Sequence, residues 1–104
     1  MNAFIDLKGA SGATYRFRHW PEGASHLPIA GNYVFVREAA QGFKVVLAGL
    51  TNDLSTCRAE LGKSVPKKAV HVYTRLNVSR ATRHAEHEDL VAGCKPAMVS
   101  ETDI

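Results

Sequence analysis

The sixteen residues from Arg83 to Met98, RHAEHEDLVAGCKPAM, crowd two imidazoles, three carboxylates and a thiol into one stretch. His84 and His87 are three apart and share a helix face, and Cys94 lies just beyond. Two imidazoles and a thiolate are ligands that zinc accepts. Their spacing matches no familiar zinc pattern, and a solvated polar face is the default for such a helix, so no metal is expected. Glu86 and Glu88 offer the hard oxygens that magnesium and manganese prefer.

Other groups with chemical potential are scattered along the chain. Cys57 falls on an apolar stripe with Leu54 and Leu61, which points to a buried thiol rather than a nucleophile. Its neighbour Arg58 is either a phosphate contact or a helix-edge arginine. His71, Tyr73 and Arg75 alternate along one strand face, where they could grip a nucleic-acid strand or face solvent. Lys63, Lys67 and Lys68 surround Pro66 in a basic loop.

These residues need elements to hold them. Phe4 to Leu7 and Tyr15 to Trp20 read as strands around the turn Gly9-Ala10-Ser11-Gly12, an added N-terminal hairpin within residues 1–27. Gly31 to Arg37 and Phe43 to Ala48 form a second hairpin around Gln41-Gly42, the latter strand apolar on both faces and so interior to its sheet. A helix capped near Thr51 to Asp53 runs to Leu61 and ends at Gly62. Val70 to Leu76 alternates as a strand. Ser79 caps a last helix whose apolar side is Ala81, Ala85, Leu90 and Val91, and which Gly93 stops before Pro96. The tail, residues 99–104, reads as polar and frayed. The expected fold class is α+β: one domain, a small and largely antiparallel sheet flanked by helices.

With 104 residues the chain suffices for one modest core. No apolar run approaches the length of a bilayer span, and the opening MNAFIDLKG lacks the pattern of a secretory signal. Two cysteines without such a signal are expected to be reduced thiols in the cytoplasm. Charge is unevenly spread. Residues 1–83 hold twelve Lys or Arg against five Asp or Glu, whereas residues 84–104 hold one against five. A basic body suits a polyanion such as nucleic acid, although a solubilising surface would look the same.

Three stretches, taken in order, resemble the GIY-YIG nuclease domain across residues 28–98. Gly31-Asn32-Tyr33 is similar to its "GIY". Val46-Leu47-Ala48-Gly49, followed by Thr51-Asn52-Asp53-Leu54, is similar to its "YIG" strand end and the helix after it. Ala85 to Pro96 is similar to its closing helix. The resemblance implies metal-dependent cleavage of DNA phosphodiesters by two tyrosines, a helical arginine and a glutamate that holds the cation. Tyr33 stands at the first tyrosine. Leu47 stands at the second, Cys57 at the arginine, His87 at the glutamate, and Val99 near a closing asparagine.

One step along a helix turns a side chain by about 100°, so Arg58, Glu86 and Glu88 cannot simply replace their neighbours. Losing the metal carboxylate alone removes much of the charge stabilisation. The expectation is a catalytically impaired GIY-YIG-like domain, without a cofactor, that binds nucleic acid, DNA foremost, through Arg16, Arg18, Lys63, Lys67, Lys68, Arg75, Arg80 and Arg83. A divergent magnesium- or manganese-dependent endonuclease using Tyr33, Arg58 and Glu86 or Glu88 is one alternative. A protein-interaction module, with an uncovered edge strand inviting a homodimer, is the other.

Overall fold

A computed structural model describes residues 2–40, 42–63, 65–66 and 69–102. In chain order its elements are β1 (Phe4–Lys8), β2 (Thr14–His19), β3 (Gly31–Ala39), β4 (Gly42–Thr51), a 3-10 helix (Leu54–Glu60), β5 (Val70–Leu76), α1 (Arg80–Cys94) and β6 (Met98–Glu101). The six strands form one sheet in the order β1-β2-β5-β3-β4-β6, curled as a half-barrel. Every pairing is antiparallel except β4 with β6.

This corrects the expected α+β class. The chain is mostly β, with one α-helix, and the sheet is not flanked by helices. Residues 54–60 wind as a 3-10 helix. Leu54 and Cys57, three apart, both point into the core, and a turn of three residues lines up such a pair. Asp53 caps the segment by accepting from the Ser55 N–H at 3.0 Å. Leu61 then leaves in an extended conformation.

The tail is corrected as well: residues 98–101 form an edge strand beside β4, Leu47 facing Met98 and Leu50 facing Glu101. α1 continues through Gly93, which the sequence marks as its stop. A Cβ there would lie 2.6 Å from Ala10 N and 2.7 Å from Lys8 O, so glycine lets the helix pass against the β1–β2 turn. The actual stop is Lys95, left-handed at φ 48°, followed by Pro96.

The sheet carries buried side chains on both faces. Along β3, Val34 and Val36 join Ile5, Phe17, Ala48, Tyr73 and the helical Leu90 in one cluster. Tyr33 and Phe35 join Trp20, Leu47, Leu54, Cys57, Val65 and Val72 in the other. Strand alternation thus assigns one face to α1 and the opposite face to the 3-10 helix. The register slips between Phe35 and Val36, leaving Val46 as an extra residue in β4. This bulge sends Val45 to one cluster and Leu47 to the other, and it explains why β4 reads as apolar on both faces.

Candidate nucleic-acid interface

On the face turned away from α1, the β1–β2–β5 end of the sheet lies open. Ile5, Phe17 and Tyr73 point towards α1, so alternation turns Phe4, Arg16, Arg18 and Thr74 the other way. The segment after β2 builds a wall beside them. Trp20 Nε1 donates to Ala24 O at 2.7 Å. His26 bridges Leu27 O and Thr74 Oγ1, each at 2.8 Å. A carbonyl can only accept, so His26 Nδ1 donates to Leu27 O while Nε2 meets the Thr74 hydroxyl. The rings of His26 and Trp20 are 4.9 Å apart.

The result is a groove of ≈ 590 Å³. Phe4, Leu27 and Leu76 line it and are 48%, 57% and 52% exposed. Arg16 lies over the Phe4 ring at 5.5 Å, with Nε 3.0 Å from Asp6 Oδ1. The hydrogen bond from Arg16 holds the Asp6 carboxyl below its ordinary range. Arg18 is exposed and has no ion-pair partner among the described residues. Exposed arginines interleaved with aromatic and apolar side chains are what a single nucleic-acid strand needs: cations for its phosphates and flat surfaces for its bases.

A second pocket of ≈ 640 Å³ lies beyond the end of β2 and shares His19, Trp20 and Pro21 with the groove. Arg58 lies 4.3 Å over the Trp20 ring and donates through Nη2 to the Trp20 carbonyl. His19 and His71 sit 5.9 Å apart, ring to ring. Burial, followed by the neighbouring His71, the amino terminus and Arg58, lowers the pKa of His19.

The nuclease-like positions do not converge. Tyr33, 1% exposed, packs in the core cluster with Leu47 and Cys57. Burial raises the Cys57 thiol to about 12, so it is protonated and inert at neutral pH. Glu86, His87 and Glu88 belong to α1, on the other face of the sheet. Glu86 Oε1 is taken by Arg75 Nε and Asn77 Nδ2, both at 2.9 Å, and Glu88 is exposed. His87 is 3% exposed. Its Nε2 lies 3.2 Å from Glu101 Oε1, but off the line of a good hydrogen bond. Burial lowers its pKa, against an opposing pull from Glu101. Val99 is half exposed on β6.

The inward stripe of α1 is Arg83, His87 and Leu90, with Val91 packed beside it; of the expected Ala81, Ala85, Leu90 and Val91, the two alanines are exposed instead. Arg83 Nη1 donates to Asn77 O at 3.0 Å and to Val78 O at 2.9 Å, and Asn32 Nδ2 donates to Arg83 O at 3.0 Å. Arg83 therefore fastens the β5–α1 loop and is not a surface phosphate contact. Arg75 is likewise held on the α1 side, 5.5 Å over Tyr15 and paired with Glu86. Tyr73 between His71 and Arg75 is fully buried, its Oη donating to Asn2 O at 2.8 Å, so that triplet is not one open face.

Lys63 and Arg80 are exposed, and neither lines the groove. Lys67 and Lys68 fall outside the described residues. Among the described residues no three His, Cys, Asp or Glu side chains are grouped to hold a metal ion, so His84, His87 and Cys94 do not come together as ligands. Cys94 Sγ instead points at Lys8 O, 3.9 Å away.

Of the groove residues, Arg16 and Arg18 were legible from strand alternation, while Phe4, His19 and His26 were not singled out. His26 sits in an irregular loop with no periodicity to mark it. No helix of the described residues is long and apolar enough to cross a membrane. Comparison with family models, with curated protein sequences and with solved structures finds no match to this chain.

Proposed function

We propose that this chain is a nucleic-acid-binding domain on a GIY-YIG-like scaffold that no longer cleaves phosphodiesters, and that it holds a single strand along the Phe4–Arg16–Arg18–His26 groove. The observation that carries the reading is the groove itself, where β1, β2, β5 and the loop after β2 bring cations and exposed apolar surface together. The order β3, β4, 3-10 helix, β5, α1 is also the order of elements that the three motifs imply. The reading includes a cytoplasmic location, supported by two unpaired cysteines.

Loss of cleavage is supported by the division of the nuclease-like positions between two faces. A cation held by Glu86 or Glu88 on α1 would stand across the sheet from Tyr33 and Arg58. Tyr33 is itself sealed in the core. The same division disfavours an active endonuclease built on Tyr33, Arg58 and these acids.

The test is fluorescence anisotropy with labelled single-stranded DNA, single-stranded RNA and duplex DNA at low salt. Binding should favour single strands. It should weaken with salt along a log–log slope of about 0.7 per phosphate contacted. Arg16→Ala with Arg18→Ala should reduce that slope by about 1.4. Absence of binding to every probe, or binding indifferent to the double substitution, would overturn the reading.

A further inference from the structure

The joints of the sheet differ in length. β1 pairs with β2 over five positions, β3 with β5 over seven and β3 with β4 over nine. β2 meets β5 at two positions, Arg18 with Thr74 and His19 with Tyr73. Trp20 N adds a bond to Val72 O at 2.8 Å. The N-terminal hairpin thus joins the rest of the sheet by its shortest seam. Its turn is fastened separately to α1, by Ala10 N on Asp89 O and by Ser11 on the Asp89 carboxylate.

The two faces of this seam carry different groups. Arg18 and Thr74 face the groove, where His26 reaches Thr74 Oγ1. His19 and His71 each stand two residues from a core aromatic, Phe17 and Tyr73, so alternation turns both to the α1 face. Their rings are 5.9 Å apart, and His19 lies 5.1 Å from the Tyr73 ring directly opposite it. Resting on the nucleic-acid reading, we infer that the groove is acid-sensitive: protonation of His19 and His71 parts β2 from β5 and releases the bound strand.

Two imidazolium ions that close repel, and a half-buried site screens them less than water does. The surrounding groups do not balance two charges. From β3, Glu38 Oε1 lies 3.9 Å from His71 Nε2 and offsets one. On His19 act burial first, then His71, the amino terminus and Arg58, and all four disfavour its proton. Tyr73, its pKa raised by burial, stays neutral throughout the acid range. A parted seam therefore binds the proton more readily than a closed one. The closed seam is whole above about pH 6.5 and weakens as pH falls below it. Parting carries Arg16 and Arg18 away from Thr74 and Leu76 of β5, and the groove loses its floor. The sign separates this from plain electrostatics, because added positive charge alone tightens the hold on a polyanion.

The experiment follows a rhodamine-labelled oligothymidylate, whose bases do not titrate in weak acid, by anisotropy on the full chain. Affinity should fall by about tenfold between about pH 7.5 and pH 5.5, the scale that one linked proton supplies over one pH unit. His71→Gln should abolish the fall and leave affinity at the upper pH unchanged. Glu38→Gln, which removes the offsetting carboxylate, should move the fall to higher pH, and this arm decides if the first variant misfolds. Binding that tightens or holds steady in acid overturns the inference while leaving the groove reading intact. A fall that survives His71→Gln, or that Glu38→Gln does not move upwards, overturns it too. Should the strand not bind at any pH, the groove reading fails and amide exchange alone judges the seam. Protection of the Trp20 amide, corrected for intrinsic rate, should then drop in acid ahead of the β3 amides in the parent and not in His71→Gln. Parallel loss at both places would overturn the inference.

Discussion

Tyr33 is either a working tyrosine facing a reactant or a core side chain, and Gly49 decides between them. The two are cross-strand partners in β3 and β4. A Cβ added at Gly49 would stand 2.3 Å from Tyr33 Cζ and 2.6 Å from both Cε1 and Oη. Carbon atoms rest at about 3.5 Å or more, so the ring would have to move by about 1 Å or more. It has no room, because Phe35, Leu47 and Cys57 surround it. Gly49 cannot retreat either, being paired with β3 on one side and with Ser100 of β6 on the other. Gly49→Ala should therefore cost about 1–3 kcal/mol, the range for overpacking a closed core.

For a domain of this size that lowers the midpoint of thermal unfolding by at least about 4–8 °C. Tyr33→Leu should also destabilise, by removing a buried ring. The two changes together should cost less than their sum, because leucine vacates the space that the new methyl enters. Circular dichroism melts of the four proteins measure the coupling. A Gly49→Ala melt within about 2 °C of the parent, or strictly additive losses, would mean that Tyr33 has room to move and is not the sealed core residue described here.

Asp89 accepts from Ser11 N at 2.8 Å, Ser11 Oγ at 2.7 Å and Tyr15 Oη at 2.8 Å, tying the β1–β2 turn to α1. These bonds hold its carboxyl below 3.8, so their stabilisation is whole above that pH and is lost as pH falls through the lower folded value. Asp89→Asn should flatten this acid limb and speed amide exchange at Gly9 to Gly12; unchanged exchange would refute the latch. Burial lowers the His87 pKa below 6.5, so the unfolded chain takes the proton first. The associated stability is whole above about 6.5 and drains as pH falls below it, and an NMR titration placing His87 above 6.5 would contradict this. Native protein should expose only Cys94 to a thiol reagent at pH 8, because Cys57 is buried with its pKa raised to about 12, and denaturant should release both. Rapid labelling of two thiols without denaturant would show that the cluster around Cys57 is open.

Local rules read the strands and the last helix well because their signals are local. Alternation marks β2 and β5, and the Ser79 hydroxyl accepts from Thr82 N as a cap should. Two features escaped for the opposite reason. β6 is four residues that pair in parallel with β4 at a distance of about fifty positions, and nothing in Met98–Glu101 announces that partner. The inward face of α1 was misread because apolar periodicity cannot see a buried arginine. Arg83 turns inward for the Asn77 and Val78 carbonyls, which the loop supplies only once folded. The arginines of the groove were visible as residues, but their company was not. Phe4, Arg16, Arg18 and His26 come from three separate segments and meet only through β1–β2 pairing and the His26–Thr74 bond.

The departures from the nuclease-like pattern are coupled by physics. Tyr33, Leu47 and Cys57 occupy one closed cluster with Val65 and Val72. A tyrosine at 47 and an arginine at 57 would bring a hydroxyl and a charge to that place, and burying them unpaired is costly. A cluster able to keep such groups must admit water, and one that has leucine and a neutral thiol gains by excluding it. On the other face His87, neutral and 3% exposed, fills a position where a carboxylate would need a counter-charge. With both sides closed, the groove and the pocket flanking Trp20 remain open to solvent.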